Sequence, residues 1–390
     1  MNLDIRDLDP ADIGRSYDIR TRAFGPLPAG RRAQWESDVA KAAHDGRVLA
    51  AYDDGLLVAR AMIRPFSQYW GGQVLPMAGI AGVVVSPEYR RRGVGTALMA
   101  GMVSRTHELG YAVSALYPAT VPVYRSTGWE IAGSQPRYTI NARLLRTLSG
   151  GDVQVREVGA ADAEELSAIM RAQYARGRAN GVRDYTPAEF AEELTEESVF
   201  ACATNDGFVV YGWERRDIVV YQLVAGSADT ARALWAVVGS NSSVVDQVHA
   251  YLAPDDPVHQ MLGECVDQQL KQIRWMLRVV DATAALSGRG YPTGVETEIP
   301  LVLDDPLLGG NCVAGRLAVS GGRGELVADD AVGTDPGALR LGPNGLAALY
   351  AGMSSATLTT AGLLAGGTPQ HHALLDTVFA GRPAHLLDYF

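Results

Sequence analysis

Apolar positions along the chain recur at two spacings, every three to four residues and every second residue, and the switches between them divide it into three α/β segments. In the first, residues 11–23 and 31–43 carry helical spacing. Residues 48–52 and 56–63 alternate as strands on either side of Asp53-Asp54-Gly55, a strong hairpin signal. A strand over 81–85, a Gly-rich turn, a helix over 94–107 and a strand over 111–117 follow. A short helix near 122–126 and a final strand pair close the segment by about residue 143.

The second segment opens with a helix over 160–179. Strands over 199–203, 207–215 and 217–224, a helix over 228–238, a helical pattern over 261–270 and a strand over 275–280 complete it. A Gly/Pro-bearing connector, Ser287-Gly288-Arg289-Gly290-Tyr291-Pro292, leads into strand-like runs at 295–302, 310–319 and 324–328 and helices near 343–352 and 371–380. The expected domains are 1–145, 146–286 and 287–390. The element order reads as a mixed α/β sheet, and the first two segments hint at a shared plan.

Composition adds limits. With 47% hydrophobic and 20% charged residues, the 390-residue chain is globular material with no apolar run long enough to span a bilayer. Three widely spaced cysteines, Cys202, Cys265 and Cys312, and no secretory pattern at Met1-Asn2-Leu3-Asp4 point to a reducing cytoplasm. A net charge of −10 argues against nucleic acid and suits a cationic substrate. No His, Cys or acidic cluster has metal-ligand spacing, so no metal is expected, and His371-His372 reads as a surface pair.

The most informative run is Gly82-Val83-Val84-Val85-Ser86-Pro87-Glu88-Tyr89-Arg90-Arg91-Arg92-Gly93-Val94-Gly95-Thr96-Ala97-Leu98. An apolar strand ends, a basic turn follows, and a helix opens at Val94. Free N–H groups at a helix N-terminus, approached over glycine, make a pyrophosphate cradle, and the arginines add positive charge. No Gly-Lys-Ser/Thr follows, so this is not a Walker A loop, and the third glycine of a dinucleotide fingerprint is missing. Further along lies Tyr124-Arg125-Ser126-Thr127-Gly128-Trp129. Its Tyr124 phenol is a candidate proton donor, with Tyr117 as a competitor for that role.

Arg90-x-x-Gly93-x-Gly95, in a strand–turn–helix context, resembles the acyl-CoA motif of the GNAT acetyltransferases, and Tyr124-x-x-x-Gly128-Trp129 resembles their Tyr-x-x-x-Gly-aromatic segment. The whole chain resembles the Eis (enhanced intracellular survival) family. The central turn Ala225-Gly226-Ser227-Ala228-Asp229 lacks the cradle, Met276-x-Arg278-x-x-Asp281 matches a family stretch, and the chain ends on the aromatic Phe390. The resemblance implies tandem GNAT-like domains followed by a sterol-carrier-protein-like domain. It implies acetyl-CoA bound by Val83, Val84, Val85, Arg90, Arg91, Gly93, Val94, Gly95 and Thr96, the valines through main-chain contacts. It also implies Tyr124 as acid and the Phe390 carboxylate as base; Glu36, Asp38 or a backbone carbonyl, reached through water, are alternatives. Phe24, Trp35 and Asp388 would line the acceptor pocket. The implied reaction is N-acetylation of primary amines, of the aminoglycoside type and at several positions, by a homo-oligomer (a hexamer) with no membrane partner. Alternatives are a biosynthetic or protein-lysine acyltransferase with one narrow acceptor, or an apolar-ligand-binding protein with a vestigial CoA site.

Overall fold

Strand and helix alternation builds two mixed sheets with helices on their faces, and the computed structural model describes residues 2–263 and 270–390. The amino-terminal strands are β1 (Leu3–Asp7), β2 (Val48–Asp53), β3 (Leu56–Trp70), β4 (Gln73–Val85), β5 (Val113–Leu116) and β6 (Glu130–Asn141). Next come β7 (Arg156–Val158), β8 (Arg183–Asp184), β9 (Val199–Ala203), β10 (Gly207–Glu214), β11 (Asp217–Ala225), β12 (Gln247–Tyr251) and β13 (Lys271–Val279). These join in one 13-stranded sheet ordered β1-β2-β3-β4-β5-β13-β6-β12-β11-β10-β9-β7, with β8 paired to β3. Four helices matter for the site: α1 (Ile13–Phe24), α2 (Arg32–His44), α3 (Val94–Glu108) and α4 (Val121–Arg125). Most of the helical pattern over 261–270 falls on residues 264–269, outside the described residues.

The hinted shared plan is present in the topology. β2-β3-β4 form an antiparallel run and β4 then pairs in parallel with β5; β9-β10-β11 and β12 repeat the same arrangement. The two repeats meet through β6 and β13. The pattern places β13 with the second segment, but in space it lies between β5 and β6, antiparallel to both. The first sheet is therefore continuous only because a strand from far downstream fills its gap. Further elements escape the pattern reading: β1, β7, β8 and β12 are strands, and the β3–β4 hairpin extends well beyond residues 56–63 and 81–85 to a turn at Gly71-Gly72.

The carboxy-terminal sheet is ordered β16-β15-β14-β17-β18, from β14 (Thr297–Leu303), β15 (Val313–Ser320), β16 (Arg323–Ala328), β17 (Leu339–Leu341) and β18 (Leu364–Gly366). Its core is continuous with that of the first sheet through Trp70, Trp275, Tyr350 and Phe379. A buried bond crosses the same junction: Arg278 Nη2 on β13 donates to both Asp305 carboxylate oxygens at 2.9 and 2.8 Å. Gly128, singled out in the second motif, is where it is because a Cβ there would lie 1.7 Å from Arg278 Nη1.

Candidate active site

The strand–turn–helix expected of the cradle forms where β4 ends. After Ser86, whose N–H donates to Val58 O at 2.8 Å, a 3₁₀ turn at Pro87–Tyr89 and a basic turn lead into α3. Arg91 and Gly93 both have positive φ, 62° and 84°. The second position suits glycine, since a side chain in that conformation meets its own backbone. Gly93 supplies no side-chain cap to α3, and the N–H groups of Gly95 and Thr96 meet no acceptor among the described residues. A Cβ at Gly93 would meet nothing within 4 Å, so the space above the helix end is open. Open space, uncapped amides and the exposed guanidinium groups of Arg90, Arg91 and Arg92 fit a diphosphate. Val94 is buried and anchors the helix; Thr96 is exposed at its first turn.

Beside the cradle the sheet splits. β4 pairs with β5 only at Met77–Gly79, so from Ile80 to Val85 its β5-side edge has no strand partner. Val83 and Val85 pack toward α3 while Val84 packs toward α1 and α2, which leaves the main chain of this edge to receive an extended arm. Gly82 and Val83 together oppose Ala61 of β3, a bulge that turns the strand at this point. Arg60 lies under it. Its guanidinium is buried, Nε and Nη1 have no partner among the described residues, and it sits 5.0 Å from the centre of the Trp35 ring. Burial, and then the charge of Arg20, pushes its pKa down to about 10. No sequence pattern marks this residue.

Helix α4 closes the mouth of the split: Val123 and Val85 both lie 3.8 Å from where a Gly95 Cβ would be. Tyr124, on α4, is buried among the residues that pack on α3. Its hydroxyl has no hydrogen-bond partner among the described residues, and burial, with a smaller push from the Tyr389 phenol, raises its pKa to about 12. The phenol therefore keeps its proton at neutral pH. Tyr117 is committed elsewhere: its hydroxyl donates to Asp388 O at 2.5 Å, and its ring stacks on Tyr389 at 4.5 Å.

The carboxy-terminal tail is not frayed. His385 bridges to Ser134 of β6, Leu386 N–H donates to Ser134 O at 3.1 Å, and Gln135 Nε2 donates to Leu387 O at 2.8 Å. The Phe390 ring ends against Phe66 of β3 at 5.1 Å and Tyr117 at 5.5 Å. A Cβ at Gly79 would lie 2.7 Å from the Phe66 ring and 3.0 Å from the Phe390 ring, so glycine is required there for the last residue to reach the point where β4 and β5 part.

The residues expected to line the acceptor pocket divide. Phe24 is exposed at the end of α1. Trp35 is instead a packing residue, edge-on to Tyr17 at 5.3 Å and against Arg60. Asp388 is already engaged: the Tyr185 hydroxyl donates to its carboxylate and Arg183 lies 3.8 Å away. Among the alternative bases, Glu36 pairs with Arg32 at 2.8 Å and Asp38 accepts from Gln34.

The second repeat keeps the split and the bulge but fills the cradle. β11 pairs with β12 only at Ile218–Val220, and Tyr221 is the extra residue of a bulge against β10. The following helix, Ala228–Gly239, is capped by Ser227, whose side chain accepts from Thr230 N–H, and the Asp206 carboxylate sits against Gly226. A diphosphate finds a capped helix and a negative charge there.

Comparison with known proteins agrees with this geometry. A GNAT acetyltransferase domain model matches residues 4–132, a second GNAT model matches 185–279, and a sterol carrier protein domain model matches 282–387. The N-acetyltransferase Eis of Mycobacterium tuberculosis is 29% identical over 336 residues, covering 80% of this chain and 79% of its own. A GCN5-related N-acetyltransferase from Kribbella flavida superposes with a TM-score of 0.95 at 44% identity, over 100% of this chain and 98% of that one. Eis1 from Mycobacterium abscessus superposes with a TM-score of 0.75 at 26% identity, over 99% and 100%.

Proposed function

From the premise that the chain belongs to the GCN5-related N-acetyltransferases, in their three-domain Eis form, we propose that it transfers the acetyl group of acetyl-CoA to a primary amine by direct attack on the thioester. The observation that carries this reading is the docked tail: the last residue of the chain packs at Gly79, beside the open edge of β4 that receives the thioester arm. In the proposed reaction the amine gives a proton to the terminal carboxylate of Phe390. Its nitrogen bonds the acetyl carbon, the carbon–sulfur bond breaks, and the thiolate takes the Tyr124 proton. The diphosphate lies on Gly93, Val94, Gly95 and Thr96 with Arg90 and Arg91 beside it, and the arm runs along Val83, Val84 and Val85.

The proposed acceptor is a polyamine of the aminoglycoside type, acetylated at more than one amine. Support comes from the net charge of −10, which steers a polycation toward the protein, and from the exposed Phe24 ring as a wall that fixes no single pose. Thiol release from acetyl-CoA, followed with a panel of aminoglycosides, polyamines and lysine peptides, tests the proposal. Products carrying two or more acetyl groups support the polyamine reading; a single acceptor with a single product replaces it with a narrow biosynthetic or protein-lysine activity. An active enzyme whose turnover is untouched by adding residues after Phe390 rules out the carboxylate as base.

A further inference from the structure

A cavity of about 490 Å³ lies where the three segments meet. The β3–β4 turn forms one wall, the loop after the helix Ala163–Arg176 another, and the interdomain connector with the β15–β16 turn the rest. Its charged lining consists of Arg178, Arg289 and Arg323, with no acidic residue among the lining side chains, in a chain whose net charge is −10. None of the three forms an ion pair among the described residues.

Arg289 makes this a built site. It is 3% exposed, its Nη1 donates to Tyr350 O at 2.9 Å, and its guanidinium lies 4.6 Å from the centres of the Tyr350 and Phe379 rings. Its Nε is buried without a partner among the described residues. A buried guanidinium with no counter-ion is costly, and rings that fix its direction leave it preorganised for an anion. Arg178 holds a positive φ of 49°, uncommon for a side-chain-bearing residue, and burial followed by the charge of Arg289 lowers its pKa. Glu296, Glu298 and Glu325 line the adjoining groove beyond Arg323 and not this cavity.

We propose that this junction cavity binds a small molecule bearing a polyphosphate group. Three guanidinium groups on separate elements, none in an ion pair among the described residues, call for more charge than one carboxylate carries, and the planar forks of Arg178 and Arg323 match phosphate oxygens. The volume exceeds that of a single ion. The site is separate from the cradle at Gly93, and its occupant bears on the tail. Two residues from Arg178, Asn180 accepts from Gly71 N–H, donates to Arg382 O and accepts from His385 N–H. A ligand on Arg178 therefore steadies the residue that fastens the carboxy terminus.

The test is calorimetric titration of the full chain, saturated with CoA so that the cradle is filled, using tripolyphosphate and, separately, ATP. One site per chain is expected, and the paired change Arg178→Gln and Arg323→Gln is expected to weaken it at least tenfold while CoA affinity stays the same. Arg289 is left in place because its ring contacts hold the core. Tighter binding of ATP than of tripolyphosphate identifies a nucleotide, and equal binding identifies the phosphate chain alone; both support the site. No binding once CoA is saturating, or equal affinity in the paired variant, overturns it.

Discussion

The Tyr117 hydroxyl donates to the main-chain carbonyl of Asp388 at 2.5 Å, so a side chain just beyond β5 holds the third-from-last residue of the chain. The tail's final turn thus depends on the first segment. Tyr117→Phe removes one hydrogen bond of about 1 kcal/mol, and a loss of roughly fivefold in kcat is expected with acetyl-CoA affinity intact. Tyr124→Phe removes the proposed acid, and a loss of about 100-fold or more in kcat is expected. Steady-state kinetics of the two variants separates the roles; equal losses would defeat the assignment.

Gly79 carries a second prediction. Any Cβ there meets the Phe66 and Phe390 rings, so Gly79→Ala is expected to displace the terminal residue and lower kcat at least tenfold. Acetyl-CoA binding, measured by calorimetry, should change less than kcat, because the diphosphate cradle lies past Val85, at the far end of the open edge.

The two cradle glycines should respond differently. A Cβ at Gly95 makes ordinary contacts at 3.8 Å, so Gly95→Ala is expected to bind acetyl-CoA within about twofold of the parent. Gly93 has φ 84°, where a Cβ costs roughly 1–2 kcal/mol, so Gly93→Ala is expected to bind about tenfold more weakly. A reversed order would remove the cradle reading.

The tail also carries a pH dependence. His385 is buried, its Nδ1 lies 3.1 Å from Pro383 O, and burial pushes its pKa from 6.5 down to about 4. Between those values the unfolded chain holds a proton that the folded chain refuses. Stability is therefore complete above pH 6.5 and is lost as the pH falls toward 4, by up to roughly 3 kcal/mol from this group. Asp256 and Asp388, whose carboxyls burial pushes up, act in the opposite sense in the acid part of that range. The quantity to measure is thus a difference: urea midpoints from pH 7 to 4 should fall less steeply in His385→Gln than in the parent.

The strand, arginine turn and helix of the proposed cradle were legible because they are local: they lie within seventeen residues whose spacing shows itself. The same holds for the short helix that carries Tyr124 and for most strands of the carboxy-terminal sheet. The placement of β13 was not legible, since alternation reports which faces of a strand are buried and not which strands flank it. Gly79 and Arg60 belong to no motif, and their roles exist only through residues distant in sequence. The commitment of Asp388 to Tyr185 and Arg183 was hidden for the same reason.

The position of β13 sets an order on synthesis. The ribosome delivers β5 and β6 early, yet the strand that belongs between them emerges only after the whole second repeat. Until Val279 is clear of the exit tunnel, the edges of β5 and β6 that β13 joins in the finished protein stay unpaired. The part of the enzyme made first is among the last to be completed, and a chain stopped after the first segment would carry a cradle on an unfinished sheet.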